Sequence, residues 1–68
     1  MKEIDFETDS IKAKDLFKSL SIFPSGGMAK NIIKDYGFIL NGEKCFIAGK
    51  KLTKGDKVQI DQYLITIK

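Results

Sequence analysis

The chain has no histidine and no tryptophan, and it contains a single cysteine and a single proline among its 68 residues. Without histidine there is no Ser/His/Asp or Cys/His set for nucleophilic catalysis, and there is no imidazole to ligate a metal. The lone Cys45 cannot form an internal disulfide, and we interpret it as a small buried strand residue. These absences predict a protein that is not an enzyme and that uses no metal or other cofactor.

Arginine is also absent, because all 12 basic residues are lysines. Lysine offers a point charge, whereas the planar arginine group is what holds guanine or phosphate through two parallel hydrogen bonds. If the chain binds a polyanion, we therefore expect it to read the shape of that partner more than its sequence.

No apolar run approaches the roughly 20 residues that span a bilayer, and the first residues lack the basic and apolar regions of a signal peptide. A single cysteine also suits a reducing compartment. We therefore expect a cytoplasmic protein that does not contact a membrane.

Charge is distributed unevenly along this short chain, whose formal net charge is +3. Residues 1–9 hold four acids against one lysine, whereas residues 10–68 hold eleven lysines against five acids. The length predicts one domain, spanning residues 1–68. The basic part of that domain favours a polyanionic partner.

The N-terminal segment alternates acidic residues with residues that suit a core. The acids are Glu3, Asp5 and Glu7, and they interleave with Ile4, Phe6 and Thr8. This period of two predicts an N-terminal edge strand whose acidic face lies in water and discourages edge-to-edge pairing. The acids could instead bind a metal or a basic partner, but a solvated strand face is the interpretation we favour.

Residues 10–20 show the spacing of an amphipathic helix, with Asp9 or Ser10 as its predicted N-cap. Its inner face comprises Ala13, Leu16, Phe17 and Leu20. A second helix is predicted over residues 26–36, and its inner face comprises Ala29, Ile32, Ile33 and Tyr36. The two helices should pack as a hairpin. Because Tyr36 and Tyr63 both lie in apolar stripes, we expect their rings in the core.

The second helix is predicted to start at the N-cap Ser25, followed by Gly26 and Gly27. Glycines leave backbone N–H groups unobstructed, and the helix dipole makes this end attractive to phosphate. Lys30 and Lys34 follow one turn apart on the polar face. Each feature alone indicates only a flexible turn or a solvated face, but together they favour anion binding.

The remaining residues predict a small, mostly antiparallel sheet. Gly37 ends the second helix, and residues 38–40 and 45–47 flank an Asn41-Gly42 turn as a hairpin. Residues 48–57 are predicted to form a loop that carries the densest group of cations: Lys50, Lys51, Lys54 and Lys57. Residues 58–60 and 63–67 are predicted to form a closing pair of strands, with the N-terminal strand beside one of them.

The order of these motifs resembles one known family. Two helices, Ser25-Gly26-Gly27-Met28-Ala29-Lys30, an Asn41-Gly42-Glu43 hairpin and Lys54-Gly55-Asp56-Lys57-Val58 are together similar to the S-four RNA-binding domain, named for small-subunit ribosomal protein four. Within that family the chain is most similar to the short stand-alone bacterial members of the YaaA type. The resemblance covers roughly residues 11–60.

The resemblance implies an α+β fold in which a two-helix hairpin packs on the small sheet, with the N-terminal edge strand as an addition. The two helices and the adjoining β-hairpin would form one surface for structured RNA, often ribosomal or transfer RNA. The RNA-facing positions would be Ser25, Gly26, Gly27, Lys30, Lys34, Asn41, Lys50, Lys51 and Lys54. The chain departs from many relatives in having Gly26 where they have arginine, and Ile47 and Ala48 where stand-alone relatives have two arginines.

We therefore predict a non-catalytic, monomeric protein that binds structured RNA, with a role in ribosome assembly or translation and with no small-molecule substrate. The alternative is a protein-interaction adaptor that has lost much of its affinity for RNA and uses its acidic edge strand to bind a basic partner.

Overall fold

The described part of the chain, residues 1–25 and 27–68 with the helical backbone at Gly26, forms two helices and seven strands in the computed structural model. In chain order these are β1 (Lys2–Phe6), β2 (Ser10–Lys12), α1 (Ala13–Ser19), α2 (Gly26–Asp35), β3 (Phe38–Leu40), β4 (Glu43–Cys45), β5 (Lys51–Thr53), β6 (Lys57–Ile60) and β7 (Tyr63–Ile67). The predicted α+β class, with two helices and a mostly antiparallel sheet, is confirmed.

The main sheet has the strand order β1-β7-β6-β3-β4, so that β1 and β4 are its edges. Neighbouring strands are antiparallel except β1 and β7, which pair in parallel. The register aligns Leu40, Val58, Ile65 and Ile4 in one row across four strands. Because side chains alternate between the two faces of a strand, this row belongs to the apolar face that packs against the helices.

A separate two-stranded sheet, in which β2 pairs with β5, was not predicted from the sequence. Ile11 pairs with Leu52, and burial of Leu52 together with the ladder hydrogen bonds favours strand over helix for residues 10–12. The predicted start of the first helix is therefore wrong, as are its predicted N-caps Asp9 and Ser10. The loop predicted over residues 48–57 is also wrong in part, because it contains β5.

The first turn of α1 is capped by main-chain carbonyls rather than by a side chain. Its N-cap is Lys12, whose side chain makes no capping hydrogen bond. The N–H groups of Ala13 and Lys14 instead donate to the carbonyls of Lys50 and Ala48, at 2.9 and 3.0 Å. The segment before β5 is thereby fixed against the start of α1, which positions the lysines that follow it.

Gly37 ends α2 in a conformation and a close contact that would strain any side chain. Its φ is +74°, and a Cβ built there would lie 2.7 Å from the carbonyl oxygen of Cys45. The predicted helix stop is confirmed. The prediction that Tyr36 packs in the core is wrong, since Tyr36 follows the helix as its C-cap and is 71% exposed. Tyr63 is half-buried and packs against the core.

The β3–β4 hairpin turns at Asn41 and Gly42, which have φ values of 51° and 87°. A two-residue turn brings the chain back at once, so Leu40 pairs with Glu43. The second strand is therefore β4, Glu43–Cys45, and the strand predicted over residues 45–47 is wrong in part, because only Cys45 of that range lies in β4. Cys45 is the last residue of β4 and is half-buried against the core.

Phe17 of α1 joins the helices to the sheet. Its ring meets Phe23 and Phe38 edge to face, with centroid separations of 6.0 and 5.5 Å. Such pairs add about 0.5–1.5 kcal/mol beyond area burial.

Neither helix in the described part of the chain is long and apolar enough to span a membrane.

Candidate RNA-binding surface

The start of α2 has the predicted N-cap. Ser25 is extended, with φ −150° and ψ 160°, and its Oγ accepts a hydrogen bond from the N–H of Met28 at 3.2 Å. Gly27 is exposed, and in the described part of the chain a Cβ built on it would have no heavy atom within 4 Å apart from its chain neighbours and the backbone of its own helix. The contact predicted at Gly26 lies outside the described residues. At Gly27 the helix start is therefore open to an approaching anion.

The polar face of α2 extends away from this open end. Lys30 and Lys34 are exposed one turn apart, whereas Ala29 and Ile33 on the opposite face are buried. The predicted division of the helix into a core face and a cationic face is confirmed. Two ammonium groups thus lie along the helix after its positive dipole end.

Three of the lysines after the hairpin lie in different surroundings. Lys50 lines a cleft of about 180 Å³ next to the β3–β4 hairpin, and Lys51 lines one of about 380 Å³ next to α1. Lys54 lies 3.3 Å from Asp9 in an exposed ion pair. The segment carries the predicted cations, but they are spread along it rather than concentrated on one face.

Asn41 has a structural role that the sequence analysis did not predict. Its Oδ1 accepts a hydrogen bond from the N–H of Lys57 at 2.8 Å, and its Nδ2 donates to Asp56 at 3.1 Å. The amide therefore ties the hairpin turn to the start of β6. Asn41 is exposed, and its side chain already uses both polar ends within the chain.

Asp56 organises this junction. The N–H of Thr53 donates to its carboxylate at 2.9 Å, and this hydrogen bond is the main reason that the pKa of Asp56 lies below its ordinary value of 3.8. The amide of Asn41, the hydroxyl of Thr53 and the charge of Lys50 lower the pKa further, while desolvation opposes them. The carboxylate thus holds the turn at residues 53–56 in shape.

Lys12 is a cation that the sequence analysis missed. It lies directly opposite Lys51 in the β2–β5 ladder, and both side chains are exposed. Both lysines line the cleft next to α1, together with Asp15. Like charges placed opposite each other repel, so an anion between the two amines would relieve an unfavourable contact. No local pattern could have indicated this pair, because it forms between residues far apart in sequence.

Large exposed apolar side chains were missed as well. Tyr36, Phe46 and Ile47 are 71%, 51% and 61% exposed, whereas the sequence predicts Tyr36 in the core and residues 46 and 47 in a strand. The Nζ of Lys44 lies over the ring of Phe46, 5.9 Å from its centroid. The turn preference of Asn41-Gly42 was the available signal, since a strand that ends at Cys45 leaves Phe46 outside the sheet.

The fold and this set of residues can be compared with known families. A family model described as an S4 domain matches residues 4–68. The chain belongs to the S4 domain family. S4 domains are RNA-binding, non-catalytic domains. The match includes the open start of α2, the hairpin and the lysine-bearing segment of this S4 domain, and it extends beyond the resemblance seen over residues 11–60.

No curated protein matches this S4 domain.

Proposed function

We propose that this S4 domain binds structured RNA, such as ribosomal or transfer RNA, as a monomer of the short stand-alone YaaA type that acts in ribosome assembly or translation. The observation that carries the proposal is the family match over residues 4–68, which includes an open, Ser-capped helix start. The two helices and the β3–β4 hairpin form the binding motif, to which β1 is an addition. The proposed contacts are Ser25, Gly26, Gly27, Lys30, Lys34, Asn41, Lys50 and Lys51, together with Lys12. Lys54 is left out, because it pairs with Asp9 beside the acidic strand β1.

The chemistry of these groups suits phosphate more than bases. Backbone N–H groups at the start of α2 and the ammonium groups of Lys30 and Lys34 are all hydrogen-bond donors to anionic oxygen. Lysine holds phosphate as a point charge and does not read base edges as arginine does. Selectivity then comes from the spacing of phosphates, which differs between a junction, a groove and a regular duplex.

Charge reversal tests the proposal directly. Replacement of Lys30 and Lys51 in one variant, Lys30→Glu with Lys51→Glu, should abolish binding of a transfer RNA or ribosomal RNA fragment in a fluorescence titration. The matched control is Lys2→Glu with Lys68→Glu, which changes the net charge equally near β1, at the far edge of the sheet. Equal losses in both variants, or no salt-sensitive affinity in the unaltered protein, would remove the proposal.

The acidic edge strand supports a second candidate, the protein-interaction adaptor. Glu3, Asp5 and Glu7 are exposed along β1 or just after it, and β1 is an edge of the sheet. A basic partner could pair with these carboxylates. Capture of the tagged protein with and without nuclease separates the candidates, because ribosomal material lost on nuclease treatment supports RNA binding and a retained basic protein supports the adaptor.

A further inference from the structure

Phe46 occupies an unusual position for a large aromatic residue. It follows β4 directly, and 51% of the residue is exposed. Two ring carbons, Cδ2 and Cε2, lie 3.0 Å from the point where a Cβ of Gly37 would stand, so the ring packs against a bare backbone. The ammonium group of Lys44 lies 5.9 Å from the ring centroid. An exposed ring with a cation over it thus lies at one end of the hairpin.

This pair lies at the basic end of the sheet face that is turned away from the helices. The register places one row across the whole main sheet: Lys44, Ile39, Gln59, Leu64 and Glu3. The row alternates with the apolar row that packs against the helices, and its two terminal residues are exposed. One end of the row is cationic and the other end is acidic.

We propose that Phe46 and Lys44 bind an unpaired nucleotide of the RNA, with its base stacked on the phenyl ring and its phosphate paired with the ammonium group. This inference rests on the proposed function, but it concerns a different contact from the phosphate contacts at the start of α2. Unstacked bases are bound in RNA-binding proteins by stacking on aromatic rings. The neighbouring ammonium group then pairs with the phosphate of the same nucleotide.

This contact and the proposed phosphate contacts lie at opposite ends of α2. Gly37, against which Phe46 packs, immediately follows α2 and its C-cap, and Gly27 lies at the other end of that helix. Ten helical residues rise about 15 Å, a distance that a few nucleotides cover. Lys30 and Lys34 are exposed along the same helix. Because the row of Lys44 faces away from the helices, an RNA that makes both contacts passes around the β4 edge of the sheet, with paired phosphates at the helix start and an unpaired nucleotide at Phe46.

Charge favours a short nucleotide segment over other occupants of this face. Glu3 ends the row at β1, and Asp5 follows on the same strand face, so a longer polyanion that crossed the sheet would meet carboxylates. A second copy of the chain would bring a second Lys44 towards the first if the two Phe46 rings packed together. The cation next to the ring suits an anionic partner instead.

The test uses two RNAs with one stem sequence, a stem closed by an unpaired adenosine loop and a fully paired duplex. Phe46→Trp introduces the only tryptophan of the chain, and its fluorescence should be quenched by the loop RNA and not by the duplex. Phe46→Leu retains an apolar side chain without a stacking plane. It should weaken binding of the loop RNA about 5- to 100-fold and leave binding of the duplex unchanged.

A change made in the RNA gives a readout that does not depend on protein folding. Abasic sites in the loop should weaken binding to the unaltered protein by the same factor as Phe46→Leu, and should add no further loss to that variant. Unchanged tryptophan fluorescence at saturating loop RNA would overturn the inference, as would equal affinity of Phe46→Leu and the unaltered protein.

The outcomes separate this inference from the proposed function. If duplex and loop RNA both bind with a salt-sensitive affinity that Phe46→Leu does not change, only the nucleotide contact is wrong. If the loop RNA, the duplex and transfer RNA all fail to bind, both proposals fail. If sedimentation shows that the protein self-associates and that Phe46→Leu abolishes association, Phe46 is a contact between copies and the nucleotide contact is overturned.

Discussion

Asp56 has a structural role that its place in a lysine-rich segment does not indicate. Its carboxylate accepts from the N–H of Thr53 and from the amide of Asn41, and so links two turns. Asp56→Ala leaves these donors without their acceptor, and hydrogen bonds to a charged group contribute about 1.5–3 kcal/mol each when well shielded. Because this junction lies near the surface, we expect a loss of about 1–2 kcal/mol in the free energy of unfolding at neutral pH.

The pH dependence of this loss identifies its cause. The folded-state pKa of Asp56 lies below its ordinary value of 3.8, so its contribution is present above that value and disappears as pH falls through the folded pKa. Urea unfolding of Asp56→Asn and the unaltered protein should therefore differ at pH 7 and converge in acid. Asp61→Asn is the control, since Asp61 has a positive φ of 52° in the β6–β7 turn and asparagine tolerates that conformation. A difference that persists at low pH would contradict the account.

Among the elements, α2 was predicted best, because everything that defines it is local. Ser25 caps it, the period of Ala29 and Ile33 turns one face to the core, and Gly37 ends it. Only the prediction for Tyr36 is wrong. The apolar period continues one residue past the end of the helix, and beyond that end the period no longer determines the direction of a side chain.

The elements that were missed form through contacts distant in sequence. Residues 10–12 continue the helical period of α1, but pairing of Ile11 with Leu52 makes them a strand. β5 is only three residues long and lies in a segment rich in lysine, so its composition resembles a loop. In contrast, the error in β4 was avoidable, because the Asn41-Gly42 turn already determines where the return strand begins. In the candidate surface, Lys12 was not predicted for the same reason, because it lies opposite Lys51 only through pairing of strands that are distant in sequence.

The start of α2 offers a variant that separates folding from binding. Gly27→Ala places a methyl group where, among the described residues, only the chain neighbours and the backbone of α2 itself lie within 4 Å. The fold should therefore tolerate it, with a gain in stability of at most about 1 kcal/mol. The same methyl group crowds a phosphate at the exposed N–H groups, and affinity for RNA should fall severalfold. Titration and thermal unfolding measure both effects. Gly49→Ala adds a methyl group in equally open space away from α2, and an equal loss in that variant would contradict a specific role for the helix start.

Over the whole molecule, the two signs of charge belong to different parts of the structure. The acids of residues 1–9 lie in or just after β1 at one edge of the main sheet, and the exposed ion pairs Lys54–Asp9 and Lys68–Asp5 form there, at 3.3 and 3.9 Å. Surface pairs of this kind contribute little to stability. The acidic residues have a larger effect on the electrostatic potential around the molecule. They disfavour a polyanion at the β1 edge, so α2 and the hairpin end are the favourable side for its approach.

This division of charge predicts how affinity for RNA depends on salt. If about four to six lysines each neutralise one phosphate, the logarithm of the association constant should fall with the logarithm of salt concentration with a slope of roughly −3 to −5. Lys30→Glu alone should reduce the size of that slope by about one, because one phosphate contact is lost. Lys2→Glu, on the acidic edge, should leave it unchanged. Titrations at several salt concentrations measure all three slopes. A slope near zero would mean that phosphate contacts do not dominate, whereas an equal change for Lys2→Glu would mean that net charge, and not the surface at α2, governs binding.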